Sequence, residues 1–185
     1  MNCVDAVKSA GDRLVVERLL QRRGRLYADI WKVGINVGLR ISDLLALEFA
    51  PVMAALPSRE LVLTEQKTGK RKGLRLNPTA VRVIEKRRAD YPDHRWLFEV
   101  ACRRAHGKPI SRCTVARVFK EVGEQIGLKL STHSMRKTRG YALYDAGVPL
   151  EMIAKVLNHS SPAVTMAYIG ITQQQILETY EAYEL

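Results

Sequence analysis

Apolar residues recur at helical spacing along most of the chain. Leu26, Ile30, Val33 and Val37 mark one face of a helix that Gly38 can stop. A second, short helix is expected from Ser42, with the Ser hydroxyl as cap and Asp43 in the first turn. The middle changes period. Leu61-Val62-Leu63-Thr64 is a short β-like run, and Gly73-Leu74-Arg75-Leu76 alternates apolar with polar or small residues. Between them lies Gln66-Lys67-Thr68-Gly69-Lys70-Arg71-Lys72, which predicts a β-hairpin with a strongly basic tip. Asn77-Pro78 opens another helix, as cap and first helical position, and that helix should end before Pro92.

The second half returns to helical spacing. Ser111 caps a helix with the stripe Val115, Val118, Phe119, Val122 and Ile126, closed by Gly127. Further helices are expected near Thr132, at Pro149 and at Pro162. A last one begins at Thr172, where Thr172 and Gln175 make a capping box and Ile176, Leu177, Tyr180 and Tyr183 are the apolar positions. The expected fold is mainly α with a small antiparallel β-sheet, an α+β domain. With 185 residues, 46% of them hydrophobic, and no repeat or linker, the chain reads as a single domain.

Charge narrows the partners. Thirty Lys and Arg against 19 Asp and Glu leave a formal charge of +11, which favours encounter with polyanions. The cations are spread along the chain rather than set opposite a Trp- and Leu-rich helix face, so nucleic acid fits better than a membrane surface. Cys3, Cys102 and Cys113 are too few for a disulfide framework, and the pair Cys102 and His106 is too little for a metal site. Residues 1–10 lack the apolar core of a signal peptide, and the longest uncharged apolar run, 49–57, is too short to span a bilayer. A cytoplasmic protein is expected.

Four segments carry chemistry: Gly38-Leu39-Arg40-Ile41-Ser42-Asp43-Leu44; Gln66-Lys67-Thr68-Gly69-Lys70; Thr132-His133-Ser134-Met135-Arg136-Lys137-Thr138; and Leu157-Asn158-His159, followed by Thr165-Met166-Ala167-Tyr168. Cutting a phosphodiester needs a nucleophile held in line, fixed donors for the non-bridging oxygens and a proton for the departing alkoxide. Arg grips phosphate bidentately while staying charged. Two Arg, one Lys, two His and a Tyr meet this list without a metal. His133 and Arg136, three apart, share a helix face, and a helix N-terminus capped by Thr132 favours a bound phosphate. A turn between His159 and Pro162 can return Tyr168 towards His159. Spacing does not join Arg40 and Lys67 to the group. Each residue alone has a plainer reading: Arg40 as an ion-pair partner of Asp43, His159 as a helix-end charge, and the hairpin cations as a solvated loop.

As an ordered set, the segments resemble the signature of the tyrosine recombinase, or phage-type integrase, family: an Arg after Gly-Leu, a Lys on a β-hairpin, His-x-x-Arg, and a His nine residues before the Tyr. The resemblance runs from about Leu14 to Tyr168. It implies a site-specific DNA recombinase or integrase of phage or mobile-element type. In that scheme Arg40, Arg136 and His159 stabilise the scissile phosphate, Lys67 is the general acid, His133 a proton-transfer partner and Tyr168 the nucleophile. The implied products are a 3′-phosphotyrosyl link and a free 5′-hydroxyl, with no cofactor and no metal. Lys67 is chosen over Lys70 and Lys72 for its place at the end of the strand. Lys70, Arg71, Lys72 and Arg112 are expected to contact double-stranded DNA, with the protein a homo-oligomer on it, away from membranes. Tyr141, Tyr144, Tyr180 and Tyr183 are expected to pack.

The chain departs from the family pattern in two places near its end. Asn158 stands where Gly is common before the His, and Ile169-Gly170 follow the Tyr where a basic or polar residue is frequent. The separate DNA-clamping domain usual in the family is not expected in the chain. Residues 1–185 are read as one catalytic domain, either excised or of the short single-domain kind, with 172–185 as a C-terminal docking helix. Rival readings are DNA relaxation of the type IB topoisomerase kind, a DNA-binding regulator without catalysis, and a metal-dependent nuclease.

Overall fold

In the computed structural model, which describes residues 4–101 and 107–182, the chain folds as a helical body with one small antiparallel sheet. Helices α1 (Ala10–Arg23) and α2 (Arg25–Val37) are followed by the short α3 (Ile41–Leu45) and α4 (Phe49–Ala55). The hairpin β1 (Glu60–Thr64) and β2 (Arg71–Arg75) comes next, then α5 (Pro78–Asp90), α6 (Arg112–Gln125) and α7 (Thr132–Asp145). The chain continues through α8 (Leu150–Val156), α9 (Pro162–Ile169) and α10 (Gln173–Ala182). The α+β expectation holds. Cys3, Cys102, His106 and Tyr183 lie outside the described residues.

Helix α2 is the central post. Its apolar stripe buries Ile30, Trp31, Val33 and Val37, and it packs against α1, α5 and α7. Trp31 meets Phe119 of α6 edge-on, with centroids 5.8 Å apart, an arrangement favoured by the ring quadrupoles. One buried ion pair pins α5 to α2: Arg87 Nη1 lies 2.9 Å from Asp29 Oδ2, while Arg87 Nε donates to the Leu97 carbonyl at 2.7 Å. A second, smaller core of Ile153, Leu157 and Ile169 fills the angle between α8 and α9 and their support, α7. Gly140 of α7 permits this: a Cβ there would come within 2.7 Å of Ile169 Cγ2 and 2.9 Å of Leu157 Cδ1.

Three local expectations are corrected. Ser42 does not cap α3; the buried Ile41 takes the first helical position, so the helix starts one residue earlier and Arg40 stands at its cap. Helix α7 is capped by Ser131, not Thr132, through a box in which Ser131 Oγ accepts from the His133 N–H and Ser134 Oγ from the Ser131 N–H. Arg71 and Lys72 are not part of the hairpin tip. They pair with Thr64 and Leu63 as the start of β2, leaving residues 65–70 as the loop.

Candidate active site

Arg40 follows Gly38, whose left-handed backbone (φ 65°) ends α2 and turns the chain into α3. The same turn holds the second arginine. Arg136, on the buried face of α7, donates from Nη1 to the Gly38 carbonyl at 2.8 Å and is 3% exposed. That exposure decides its role: a guanidinium so placed must be spoken for, and beyond Gly38 it faces the Tyr168 hydroxyl.

Tyr168 approaches this arginine from α9. Its hydroxyl is buried against Arg136, and the charges of Arg136 and Arg40, with a hydrogen bond to Arg136, act to lower its pKa. Burial has the larger effect and leaves the pKa above that of a free phenol, so Tyr168 is protonated at neutral pH. His159 meets the Tyr168 ring edge-on, with centroids 4.7 Å apart. Its Nδ1 is 3.0 Å from Thr165 Oγ1. Burial first, then the charges of Arg136, Arg40 and Lys72, bring its pKa down to about 4, so its ring is neutral at pH 7. The turn behind it depends on Asn158, which adopts φ 49° in the position where the sequence pattern favours Gly.

A cleft of about 390 Å³ opens beside these groups, and Arg40, Lys67, Arg112, His133 and Arg136 all line it. Arg40 and Lys67, which spacing alone left apart from the rest, therefore face one cleft with His133 and Arg136. His133 is held below its ordinary pKa by burial of its ring, then by Arg112, Arg136, Lys137 and Lys67, and is neutral at pH 7. The proposed DNA-contacting residues divide. Arg112 lies in this cleft, while Lys70, Arg71 and Lys72 line a second cleft of about 540 Å³ with Arg75, Arg139 and Lys155.

Sequence reasoning passed over Glu65 and gave Asp43 and Lys72 other settings than the structure does. Glu65 ion-pairs with Arg40 at 2.6 Å, the place the sequence offered to Asp43. Asp43 instead accepts from the Gln66 N–H at 2.9 Å, tying α3 to the hairpin loop. Lys72 donates from Nζ to the Val156 carbonyl at 2.8 Å, and burial and then Arg136 lower its pKa to about 8. Among the described residues, no group of three or more His, Cys, Asp and Glu converges as metal ligands.

The profile of the phage integrase family matches residues 17–175. The chain belongs to that family. The probable integrase/recombinase YoeC of Bacillus subtilis is 31% identical over 184 residues, covering 99% of this chain and 98% of that one. The tyrosine recombinase XerA of Pyrococcus furiosus is 28% identical over 153 residues, and the match covers 81% of this chain but 52% of XerA. Apart from YoeC, the chain therefore spans about half the length of such relatives. In fold it resembles a crystal structure of XerA recombinase (TM-score 0.74, 17% identity, all of this chain and 66% of that one). It also resembles a lambda integrase dimer bound to a COC′ core site (TM-score 0.69, 16% identity, 94% and 62%). The phage integrase fold is thus shown, and with it the class of enzyme, one that breaks and rejoins DNA. No helix among the described residues is long and apolar enough to cross a membrane.

Proposed function

We propose that this phage integrase family chain cuts one strand of double-stranded DNA by attack of the Tyr168 hydroxyl on a phosphate held by Arg40, Arg136 and His159. The P–O5′ bond breaks as the phosphotyrosyl bond forms, leaving a 3′-phosphotyrosyl link and a 5′-hydroxyl. Lys67 delivers the proton to the departing oxygen, and the neutral His133 takes up the phenol proton. A 5′-hydroxyl from a second strand reverses the step, so the bond energy is kept and no cofactor is consumed.

The observation that carries this reading is the burial of the Tyr168 hydroxyl against Arg136 and beside Arg40, so that two guanidiniums face the nucleophile. A phosphate brings anionic oxygens to these guanidiniums, and fixed donors aimed at developing charge are the strongest lever on such a reaction. Lys70, Arg71, Lys72 and Arg112 extend the positive surface on both sides of the hairpin for the DNA backbone. Lambda integrase has been seen as a dimer on its core site and as a tetramer on a Holliday junction, which supports a homo-oligomer on DNA here. Residues 1–185 act as one catalytic unit, with α10 as the element that docks on a neighbouring subunit, and the work is done in the cytoplasm on chromosomal, phage or mobile-element DNA.

The test is incubation with a nicked suicide duplex in excess EDTA, followed by a denaturing gel. The native chain should give a covalent protein–DNA band, and Tyr168→Phe should give none while binding the same duplex. Trapping that survives in Tyr168→Phe places the nucleophile elsewhere. Activity that EDTA abolishes and magnesium restores favours a nuclease.

A further inference from the structure

Resting on that reading of the site, we propose that Glu65 is its positioning residue, one buried carboxylate that holds Arg40, the Lys67 loop and the His159 turn in register. Glu65 is fully buried, at 0% exposure, immediately after β1. Its Oε1 ion-pairs with Arg40 Nη1 at 2.6 Å. Its Oε2 accepts from Thr68 Oγ1 at 2.8 Å and from Asn158 Nδ2 at 2.6 Å. Thr68 is next to Lys67 in the loop, and Asn158 is next to His159. Each partner thus belongs to a different segment, and each segment supplies one residue to the cleft or to the tyrosine.

The backbone of Glu65 works to the same end. Its N–H donates to the Lys70 carbonyl at 3.0 Å, and its carbonyl accepts from the Gly69 N–H at 2.8 Å, closing the loop around Lys67. A carboxylate removed from water costs several kcal/mol unless its oxygens are satisfied by close partners. Here burial raises the pKa, but Arg40, Thr68 and Asn158 outweigh it and bring it down to about 2, so the group is ionised at every pH at which the enzyme would work. The arrangement also explains Asn158. A Gly would take the φ of 49° more easily, yet it has no amide to give to Glu65. The side chain that departs from the family pattern is the one that reaches the carboxylate.

A positioning role separates from a merely structural one in how binding and chemistry change. Glu65→Gln keeps the shape of the side chain, removes the charge that orients Arg40 and places an N–H₂ where one of three donors must be accepted. With saturating nicked duplex, single-turnover trapping should slow by about 10²-fold, the scale of losing one aligned donor. DNA affinity should stay within about threefold, since phosphate contacts outside the site supply most of it. Asn158→Gly, which suits the turn, should slow trapping less, and adding Glu65→Gln to it should cost less than the product of the two effects.

In the DNA-free chain, Glu65→Gln should shift the imidazole NMR signals of His159 and leave those of His94, outside the site, in place. Trapping in Glu65→Gln within twofold of the native rate overturns the proposal, as does a parallel loss of affinity, rate and thermal midpoint. If the native chain forms no Tyr168-dependent adduct at all, the recombinase reading fails first. The His159 signals then still decide whether Glu65 sets the site, and unmoved signals overturn it.

Discussion

The imidazole of His159 stands edge-on to the ring of Tyr168, with centroids 4.7 Å apart and planes at 73°. They stand nine positions apart in sequence, and the left-handed turn at Asn158 with the Ser161 cap of α9 folds that interval back. Lys137 Nζ lies 5.4 Å from the same Tyr168 ring. The tyrosine is thus held by an aromatic edge and a cation while its hydroxyl points towards the arginines.

His159 is neutral because burial and three cations disfavour its charged form. The folded pKa, about 4, lies below the unfolded value near 6.5, so the unfolded chain binds the extra proton first. Stability should therefore fall as pH drops through that interval. Thermal midpoints measured from pH 7 to pH 4 should decline more steeply for the native chain than for His159→Gln. Equal slopes would mean that the ring is solvated.

Gly140→Ala should damage the site from beneath. The added methyl meets Ile169 Cγ2 and Leu157 Cδ1, which belong to the elements carrying Tyr168 and leading to His159. A modest gain in helix propensity is outweighed by overpacking, for a net loss of about 1–3 kcal/mol. Chemical denaturation measures that loss. Covalent trapping should fall by more than the unfolded fraction accounts for, because α9 is displaced from α7.

The helices were legible because their signals are local. Asn77, Ser111 and Pro162 sit where caps and first turns require them, and Gly38 ends α2 as its left-handed φ demands. The proposed catalytic set was legible only as an ordered pattern, since nothing at Arg40 or Lys67 reveals that they share a cleft with Arg136. Glu65 was not legible at all. A single Glu after a strand has no periodicity or spacing to mark it, and its three partners lie 3, 25 and 93 residues away in sequence. As caps, Ser42 was misplaced by two residues and Thr132 by one, for a simpler reason: a buried Ile41 took the first helical position of α3, and a second hydroxyl residue, Ser131, stood next to Thr132.

Removing residues from Thr172 onward should leave a folded, DNA-binding chain. Leu177 of α10 is 50% exposed, more than suits a residue that anchors the helix on its own domain. The thermal midpoint of the truncated chain should match that of the native one, while sedimentation on a two-site duplex should show loss of assembly. A truncated chain that unfolds would assign α10 to the core of its own domain.

The proposed general acid, Lys67, can be separated from its neighbour Lys72 by chemistry. Lys67 is exposed on the loop and lines the cleft with Arg40, His133 and Arg136. Lys72 is half-buried on β2, with a lower pKa of about 8, but its Nζ is engaged with the Val156 carbonyl. A general acid must reach the oxygen as its bond breaks, and it contributes about 10²–10⁴ in rate. Lys67→Ala should lose that factor with an ordinary phosphodiester. A substrate with sulfur in place of the bridging oxygen leaves as a thiolate, whose conjugate acid has a pKa of about 8.5 if it resembles a free Cys, and needs no proton. That substrate should restore most of the activity of Lys67→Ala. Lys72→Met breaks the tie between β2 and the end of α8, so its defect should persist on sulfur, as should those of Arg40→Ala and Arg136→Ala. The opposite pattern, with rescue of Lys72→Met and none of Lys67→Ala, would make Lys72 the acid and Lys67 a backbone contact.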